Sequence, residues 1–134
     1  MNPYEELEKN AANYVSLSPL SFLARAALVH PNKTAVIHGE RRYTWQESYQ
    51  RCVKLASSLA QRGIAKGDTI SVIAFNTPEM FEMHFAVPMV GAVLHAINTR
   101  LDARTVAFML EHAQSKLLIY DLEFSPSSKK PSAC

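Results

Sequence analysis

The clearest hydrophobic pattern lies in the middle of the chain, where two short apolar runs flank a longer one. Thr69–Ala74 is β-branched and almost wholly apolar, and Ala92–Ile97 is a second run of this kind. Between them, Pro78–Val90 is apolar over most of a helical circumference, and Gly91 ends it. The pattern predicts strand, helix, strand. Strands that are apolar on both faces are typical of a parallel sheet covered on both sides, and a right-handed crossover lays the second beside the first.

Upstream of this unit, terminal signals predict a helix and a hairpin. Ser18-Pro19 begins the helix with serine as N-cap, and His30-Pro31 ends it because the residue before a proline avoids the α region. Thr34–His38 and Arg41–Tyr43 then form two strands around the turn at Gly39-Glu40.

A capping box begins the next helix, with Thr44 followed three residues later by Glu47. Gly63 stands where a left-handed C-terminal cap belongs. Between these signals the apolar residues recur at helical spacing and predict one buried face. That face comprises Trp45, Tyr49, Cys52, Val53, Ala56, Leu59 and Ala60.

The last two elements follow a polar loop. Asp102 can cap a helix from Ala103 to His112, and Lys116–Tyr120 reads as a final strand. The residues of this helix that we expect to face inward are Val106, Leu110 and Ala113.

The order of elements predicts an α/β fold, with an open, mostly parallel sheet wound on both faces and an N-terminal β-hairpin. We expect residues 1–17 to be a loose lead-in and residues 18–124 to form the domain. Residues 125–134 read S-P-S-S-K-K-P-S-A-C, a composition that cannot extend a core, and we expect them to be disordered.

Composition narrows the class of protein. The 134 residues are 48% hydrophobic and 19% charged, as in a globular domain. A net charge of +2 does not suggest a nucleic-acid partner, and no apolar run is long enough to span a membrane. We expect no signal peptide, and the two cysteines favour a reducing, intracellular location, cytoplasmic by default.

Candidate chemistry is sparse. A phosphate-cradling loop needs clustered glycines at a strand-to-helix turn, and the turn at Phe75–Pro78 has none. We therefore expect no cofactor-binding residue in this chain. Cys52 falls on an apolar helix face and reads as a core thiol, and the sequence contains no serine elbow. Glu79 and Glu82 are explained by the macrodipole of the helix that they begin.

Histidines and aromatic residues receive structural interpretations. His84 and His95 could approach each other, and we interpret them as satisfied, partly buried imidazoles, with a role lining a ligand channel as the alternative. The histidine spacing does not predict a metal site. The aromatic residues interpreted as core packing are Trp45, Tyr49, Phe75, Phe81 and Phe85.

Three stretches resemble the N-terminal part of adenylate-forming acyl-activating enzymes, the AMP-forming acyl-CoA synthetases. Tyr43–Ser48 (Y-T-W-Q-E-S) resembles an early strand-to-helix motif. Asn76–Glu79 (N-T-P-E) with Phe81 resembles the turn and helix after the first long strand. The longest and most specific match is Val87–Leu101 (V-P-M-V-G-A-V-L-H-A-I-N-T-R-L). Its sequence most resembles the plant-type branch, which acts on short, medium or aromatic carboxylic acids.

The resemblance implies thioester formation in two steps. A carboxylate attacks the α-phosphate of Mg-ATP and pyrophosphate leaves, and the thiol of CoA then displaces AMP from the acyl adenylate. ATP, Mg²⁺ and CoA would serve the parent enzyme, and none is expected on this chain. The family's phosphate loop, adenine and ribose contacts and catalytic C-terminal lysine have no counterpart here, so no catalytic, cofactor-binding or metal-binding residue is assigned. Members are cytosolic or peroxisomal, and P-S-A-C is not a peroxisomal signal.

These observations leave three hypotheses about the chain. The chain is an N-terminal fragment of an acyl-CoA ligase, inactive alone, with an end created by a frame change, splicing or a partial gene model. Alternatively, it is a short non-catalytic interaction module that pairs with a full-length relative. An unrelated small nucleotide- or CoA-binding domain is the third. We further expect exposed apolar surface, loose packing or aggregation, and an unpaired strand at Lys116–Tyr120 or Thr69–Ala74.

Overall fold

A computed structural model describes residues 8–124. The predicted tail at 125–134 and the first seven residues of the predicted lead-in therefore lie outside the described residues. Four α-helices, five strands and one short 3₁₀ helix are present in the described part. They are α1 (Pro19–Val29), β1 (Thr34–His38), β2 (Arg41–Thr44), α2 (Trp45–Gln61), β3 (Thr69–Ile73), α3 (Pro78–Met89), β4 (Val93–Ala96), α4 (Ala103–His112), β5 (Ser115–Tyr120) and a 3₁₀ turn (Leu122–Phe124).

The strands form two separate sheets. β1 and β2 pair as an antiparallel hairpin, whereas β3, β4 and β5 form a parallel sheet in the order β4-β3-β5. The predicted fold class is confirmed: a parallel sheet with helices on both faces follows an N-terminal hairpin. The alternative that Thr69–Ala74 forms an unpaired edge is wrong, because β3 is bonded on both sides. Among the strands of the described residues, β5 does lie at an edge.

The main core lies between α2, α3 and one face of the parallel sheet. Ile70 and Val72 project from β3 into this layer and are almost completely buried. Side chains on successive strand residues alternate between faces, so Ser71 points to the opposite side. The other members of the core cluster are Leu59, Ile64, Met83, Val87 and Ala92.

Among the elements of residues 8–124, α4 alone lies on the second face of the sheet. This helix contains no fully buried residue, and Val106, Leu110 and Ala113 are half-buried rather than enclosed. Phe108, on the outward side of the same helix, is 65% exposed. The predicted inward face of α4 is therefore oriented as expected but incompletely covered.

Local capping explains where the helices begin and end. Ser18, Thr44 and Asp102 each cap a helix by accepting backbone N–H bonds, and the Thr44–Glu47 capping box is complete. α2 ends in a Schellman arrangement, because the Ile64 N–H donates to the Leu59 carbonyl at 3.1 Å. Gly63 supplies the left-handed residue that this turn requires, with φ of +79°.

The aromatic residues that we interpreted as core packing are only partly buried. Phe75 is 45% exposed and contacts Phe124, with ring centroids 5.0 Å apart. Phe81 and Phe85 pack on each other at 5.1 Å and are half-buried. Trp45 and Tyr49 are also half-buried. Within residues 8–124, no helix is long and apolar enough to cross a membrane.

Candidate functional site

A cleft lies at the carboxyl ends of β3 and β5, beside the first turn of α3. The chain runs from β3 to β4 on one side and then crosses to β5 on the other, so the direction of connection reverses here. Ligands of open α/β sheets bind at such a switch point. The cleft has a volume of about 340 Å³. Its lining comprises Val72, Ala74, Thr77, Glu79, Met80, Met83, Ile119, Tyr120, Asp121 and Leu122.

Polar groups of the cleft come from the α3 N-terminus and the end of β5. The Thr77 hydroxyl accepts from the Met80 N–H at 3.4 Å, which occupies one of the free donors of the helix. Asp121 donates its N–H to the Ile73 carbonyl at 2.9 Å, which holds the two strand ends together. Asp121 thus lines the cleft at the end of β5.

Glu79, the second carboxylate of the cleft, belongs to an ion pair with the hairpin. Arg41 donates to Glu79 Oε1 at 2.7 Å and also contacts His38 Nδ1 at 3.0 Å. The hydrogen bond from Arg41 lowers the pKa of Glu79 to about 2, so this carboxylate is ionised at neutral pH. The macrodipole explanation of Glu79 is therefore incomplete, since its main partner lies 38 residues earlier in the chain.

The macrodipole explanation is also incomplete for Glu82. Its side chain is 9% exposed and receives two bonds from Arg51 of α2, at 2.5 Å from Nε and 3.2 Å from an η nitrogen. Arg51 also lies over the Tyr43 ring at 4.6 Å. The hydrogen bond to Glu82 raises the pKa of Arg51. This forked ion pair joins α2 to α3.

The donor set of the cleft does not fit a triphosphate. Two acidic residues, Glu79 and Asp121, line it, and the turn between β3 and α3 contains no glycine that would let backbone N–H groups converge. Anionic phosphate would meet these acidic side chains, and Arg41 is already bound to Glu79. Among residues 8–124, no three potential metal-ligating side chains lie close enough to hold one ion.

The two central histidines have separate partners. His84 donates from Nδ1 to its own helix at the Met80 carbonyl, 2.8 Å away, and is exposed rather than partly buried as expected. His95 is half-buried and bonds the Ser71 hydroxyl at 2.9 Å. Ser71 also bonds Ser115, so one polar chain crosses all three strands. The sequence pattern gave no sign of this network, because its members lie on three different strands.

Cys52 is inert in this structure. It is completely buried between helices, and burial raises the pKa of its thiol to about 11. A thiol of this kind remains protonated at neutral pH and is a poor nucleophile. The interpretation of Cys52 as a core thiol is confirmed.

The arrangement therefore defines a class of protein: an α/β scaffold with a switch-point cleft, in which one ion pair joins α2 to α3 and another joins the hairpin to α3. The family described as AMP-binding enzyme matches residues 23–133. This chain belongs to that family.

Curated relatives agree on the type of protein. The chain is 55% identical over 120 residues to a peroxisomal acetate/butyrate–CoA ligase of Arabidopsis thaliana, covering 90% of the chain and 21% of that protein. It is 50% identical over 126 residues to a peroxisomal trans-cinnamate:CoA ligase of Petunia hybrida, covering 94% of the chain and 22% of that protein. The chain thus spans about a fifth of the length of these relatives and corresponds to their N-terminal part.

Solved structures agree on the fold. The N-terminal subdomain of Klebsiella oxytoca NpsA superposes with a TM-score of 0.74 at 25% identity, over 80% of this chain and 28% of that one. The O-succinylbenzoate coenzyme A synthetase of Bacillus subtilis, in complex with AMP, gives a TM-score of 0.74 at 27% identity, over 79% and 28%. The resemblance to acyl-activating enzymes is confirmed.

Proposed function

We propose that this chain supplies the first sheet layer of an AMP-forming acyl-CoA ligase and does not catalyse the reaction alone. In the complete reaction a carboxylate oxygen attacks the α-phosphorus of ATP and pyrophosphate leaves. The CoA sulfur then attacks the acyl carbonyl and AMP leaves. The observation that carries the proposal is the 55% identity to a CoA ligase over nine tenths of the chain but a fifth of the enzyme.

The proposed substrate class is a short-chain or aromatic carboxylic acid. Support comes from the printed activities of the relatives, which include acetate or butyrate, trans-cinnamate and benzoate. Three of these relatives are described as peroxisomal, so a peroxisomal parent enzyme is proposed alongside a cytosolic one. We also propose the boundaries 1–17, 18–124 and 125–134 for lead-in, domain and tail.

The described residues act in this proposal by positioning rather than by chemistry. The Arg51–Glu82 pair fixes α2 against α3, and the Arg41–Glu79 pair fixes the hairpin against the first turn of α3. Together they set the direction in which α3 leaves the end of β3. No step is assigned to ATP or Mg²⁺ within the switch-point cleft, because its carboxylates do not fit phosphate.

Pyrophosphate release tests the proposal. The full chain is incubated with ATP, Mg²⁺, CoA and acetate, butyrate, benzoate or trans-cinnamate, with the Arabidopsis acetate/butyrate–CoA ligase as positive control. We expect release by the control enzyme only. Turnover by the chain alone, at a rate abolished by omitting the acid, would contradict the proposal.

A second candidate function is a non-catalytic module that pairs with a full-length relative and modulates it. The supporting observation is that β4 and β5 each have one unbonded edge among the described residues. The same assay distinguishes this candidate: adding a tenfold excess of the chain to the control enzyme should then change its rate. An unchanged rate, with heat-denatured chain as comparison, would exclude modulation of that enzyme.

A further inference from the structure

The outer edge of β5 has the features of a strand-pairing site. Within residues 8–124, β5 bonds only to β3, so the backbone groups along its other side have no strand partner. β5 is six residues long and its only charged residue is Lys116. Exposed, uncharged and apolar edges of this length pair with further strands. The opposite edge strand, β4, has only four residues.

A groove beside β5 leaves part of the core open to solvent. It has a volume of about 270 Å³ and lies between β5 and the helices on the first face of the sheet. Leu117 and Ile119 of β5 form one wall, and Leu59, a member of the main core, lies at the other. A strand added to β5 would place alternate side chains in this groove, so it should carry apolar residues two positions apart.

Lys116, the charged residue of β5, is turned away from the free edge of the strand. Lysines on edge strands hinder pairing because an incoming strand would have to desolvate the charge. Here the Lys116 ammonium is turned to the end of α2 and the start of β3, where it donates to the Gly63 carbonyl at 2.8 Å and to Asp68 at 2.7 Å. The edge is left with neither a free charge nor a proline.

β5 is also complementary to itself. An antiparallel pair of β5 strands can keep the α2 and α3 layers of both copies on the same side of the sheet. In that arrangement odd-numbered residues of one β5 oppose odd-numbered residues of the other, and even-numbered residues oppose even-numbered ones. If the twofold axis passes through Leu118, Leu118 opposes its own copy and Leu117 opposes Ile119, whereas Lys116 lies at the register shift between β3 and β5 and outside this regular pairing. Leu117 and Ile119 would then provide the apolar residues two positions apart that the groove requires, and no like charges would meet.

We propose that the β5 edge binds β5 of a second copy of this chain, in antiparallel register centred on Leu118, to give a continuous six-stranded sheet. This inference does not rest on the proposed acyl-CoA ligase reaction. Failure of the pyrophosphate assay would leave it intact, and the tests of the β5 edge leave the proposed reaction untouched.

Cysteine cross-linking tests the register directly. Directly opposed residues in an antiparallel pair lie about 4.5–5.5 Å apart between Cα atoms, within the range that a disulfide spans. Leu118→Cys, made in a Cys134→Ser background of the full chain, should therefore form a disulfide-linked dimer under mild oxidation. Tyr120→Cys in the same background is the matched control, because its two copies would be separated by about 13 Å along the strands.

Sedimentation velocity over a range of concentrations tests the association without a cross-link. The wild-type chain should dimerise, and Leu118→Lys should raise the dimer dissociation constant about tenfold or more by opposing two ammonium groups at the axis. Val93→Lys, on the exposed opposite edge strand, should leave the dissociation constant unchanged. Circular dichroism shows whether each variant is folded, and the cross-linking variants provide the result if Leu118→Lys is not.

Three outcomes would overturn the proposal. The first is a wild-type chain that is monomeric at every concentration. The second is equal cross-linking of Leu118→Cys and Tyr120→Cys, which would indicate association without this register. The third is association that Val93→Lys abolishes and Leu118→Lys does not, which would place the contact at β4 or on another surface.

Discussion

At the scale of single residues, Glu82 is the one charged side chain among residues 8–124 that is buried, and it joins α3 to α2. Both of its carboxylate oxygens are bonded to Arg51. Breaking a buried pair is costly because it leaves a desolvated charge without its partner, although Arg51 is 37% exposed and water reduces that cost.

We therefore expect Glu82→Gln to reduce the free energy of unfolding by about 1–3 kcal/mol, measured by urea denaturation. The matched control is Glu79→Gln, which neutralises the exposed pair with Arg41 and should cost less at pH 7. Equal losses in the two variants would show that burial does not distinguish the pairs.

Glu79 provides a prediction about pH. Because Arg41 lowers its pKa from 4.5 to about 2 in the folded chain, the unfolded state binds more protons between these values. The stability that Glu79 contributes is fully present above pH 4.5 and is lost as the pH falls through 2. The difference in unfolding free energy between wild type and Glu79→Gln should shrink over this window. A difference that stays constant from pH 5 to pH 2.5 would contradict the assigned ion pair.

At the scale of elements, α4 is the most weakly held of the four helices. It has no fully buried residue, whereas α2 contributes Cys52 and Leu59 to the interior and α3 contributes Ala86 and Val87. Elements with little buried apolar surface open locally at low free energy. Backbone amides of Ala103–His112 should exchange hydrogen faster than those of α2 and α3, measured by mass spectrometry at pH 7. Equal protection of the three helices would contradict this account.

Helix ends could be predicted from sequence better than strand neighbours could. Ser18, Thr44 and Asp102 act on backbone groups within a few residues, so local sequence contains the whole signal. The central position of β3 depends on pairing with β5, which begins 46 residues after β3 does. Local pattern therefore could not decide whether β3 was an edge.

Site residues were missed for the same reason. Arg51 and Glu82 are 31 residues apart, and Ser71 and Ser115 are 44 residues apart. Either carboxylate of α3 could be explained by its own helix, and nothing local indicated that each had an arginine partner elsewhere. Cys52 was interpreted correctly because its helix periodicity alone places it inside.

At the scale of the whole molecule, apolar surface remains uncovered around the parallel sheet. Val93 on β4, Leu118 and Tyr120 on β5 and Phe108 on α4 are between 38% and 65% exposed. Clusters of large exposed apolar side chains mark surfaces that pack against other protein. This exposure suits a sheet layer that belongs to a larger enzyme, and it also underlies the pairing proposed for the β5 edge.

Our central proposal is that this chain is a scaffold layer of an AMP-forming ligase without an ATP-handling site of its own. Equilibrium dialysis of the full chain against radiolabelled ATP with Mg²⁺, at ATP concentrations up to about 1 mM, would detect even a weak site. The account predicts no saturable binding, with the Arabidopsis ligase binding under the same conditions. Saturable binding of one ATP per chain would contradict it.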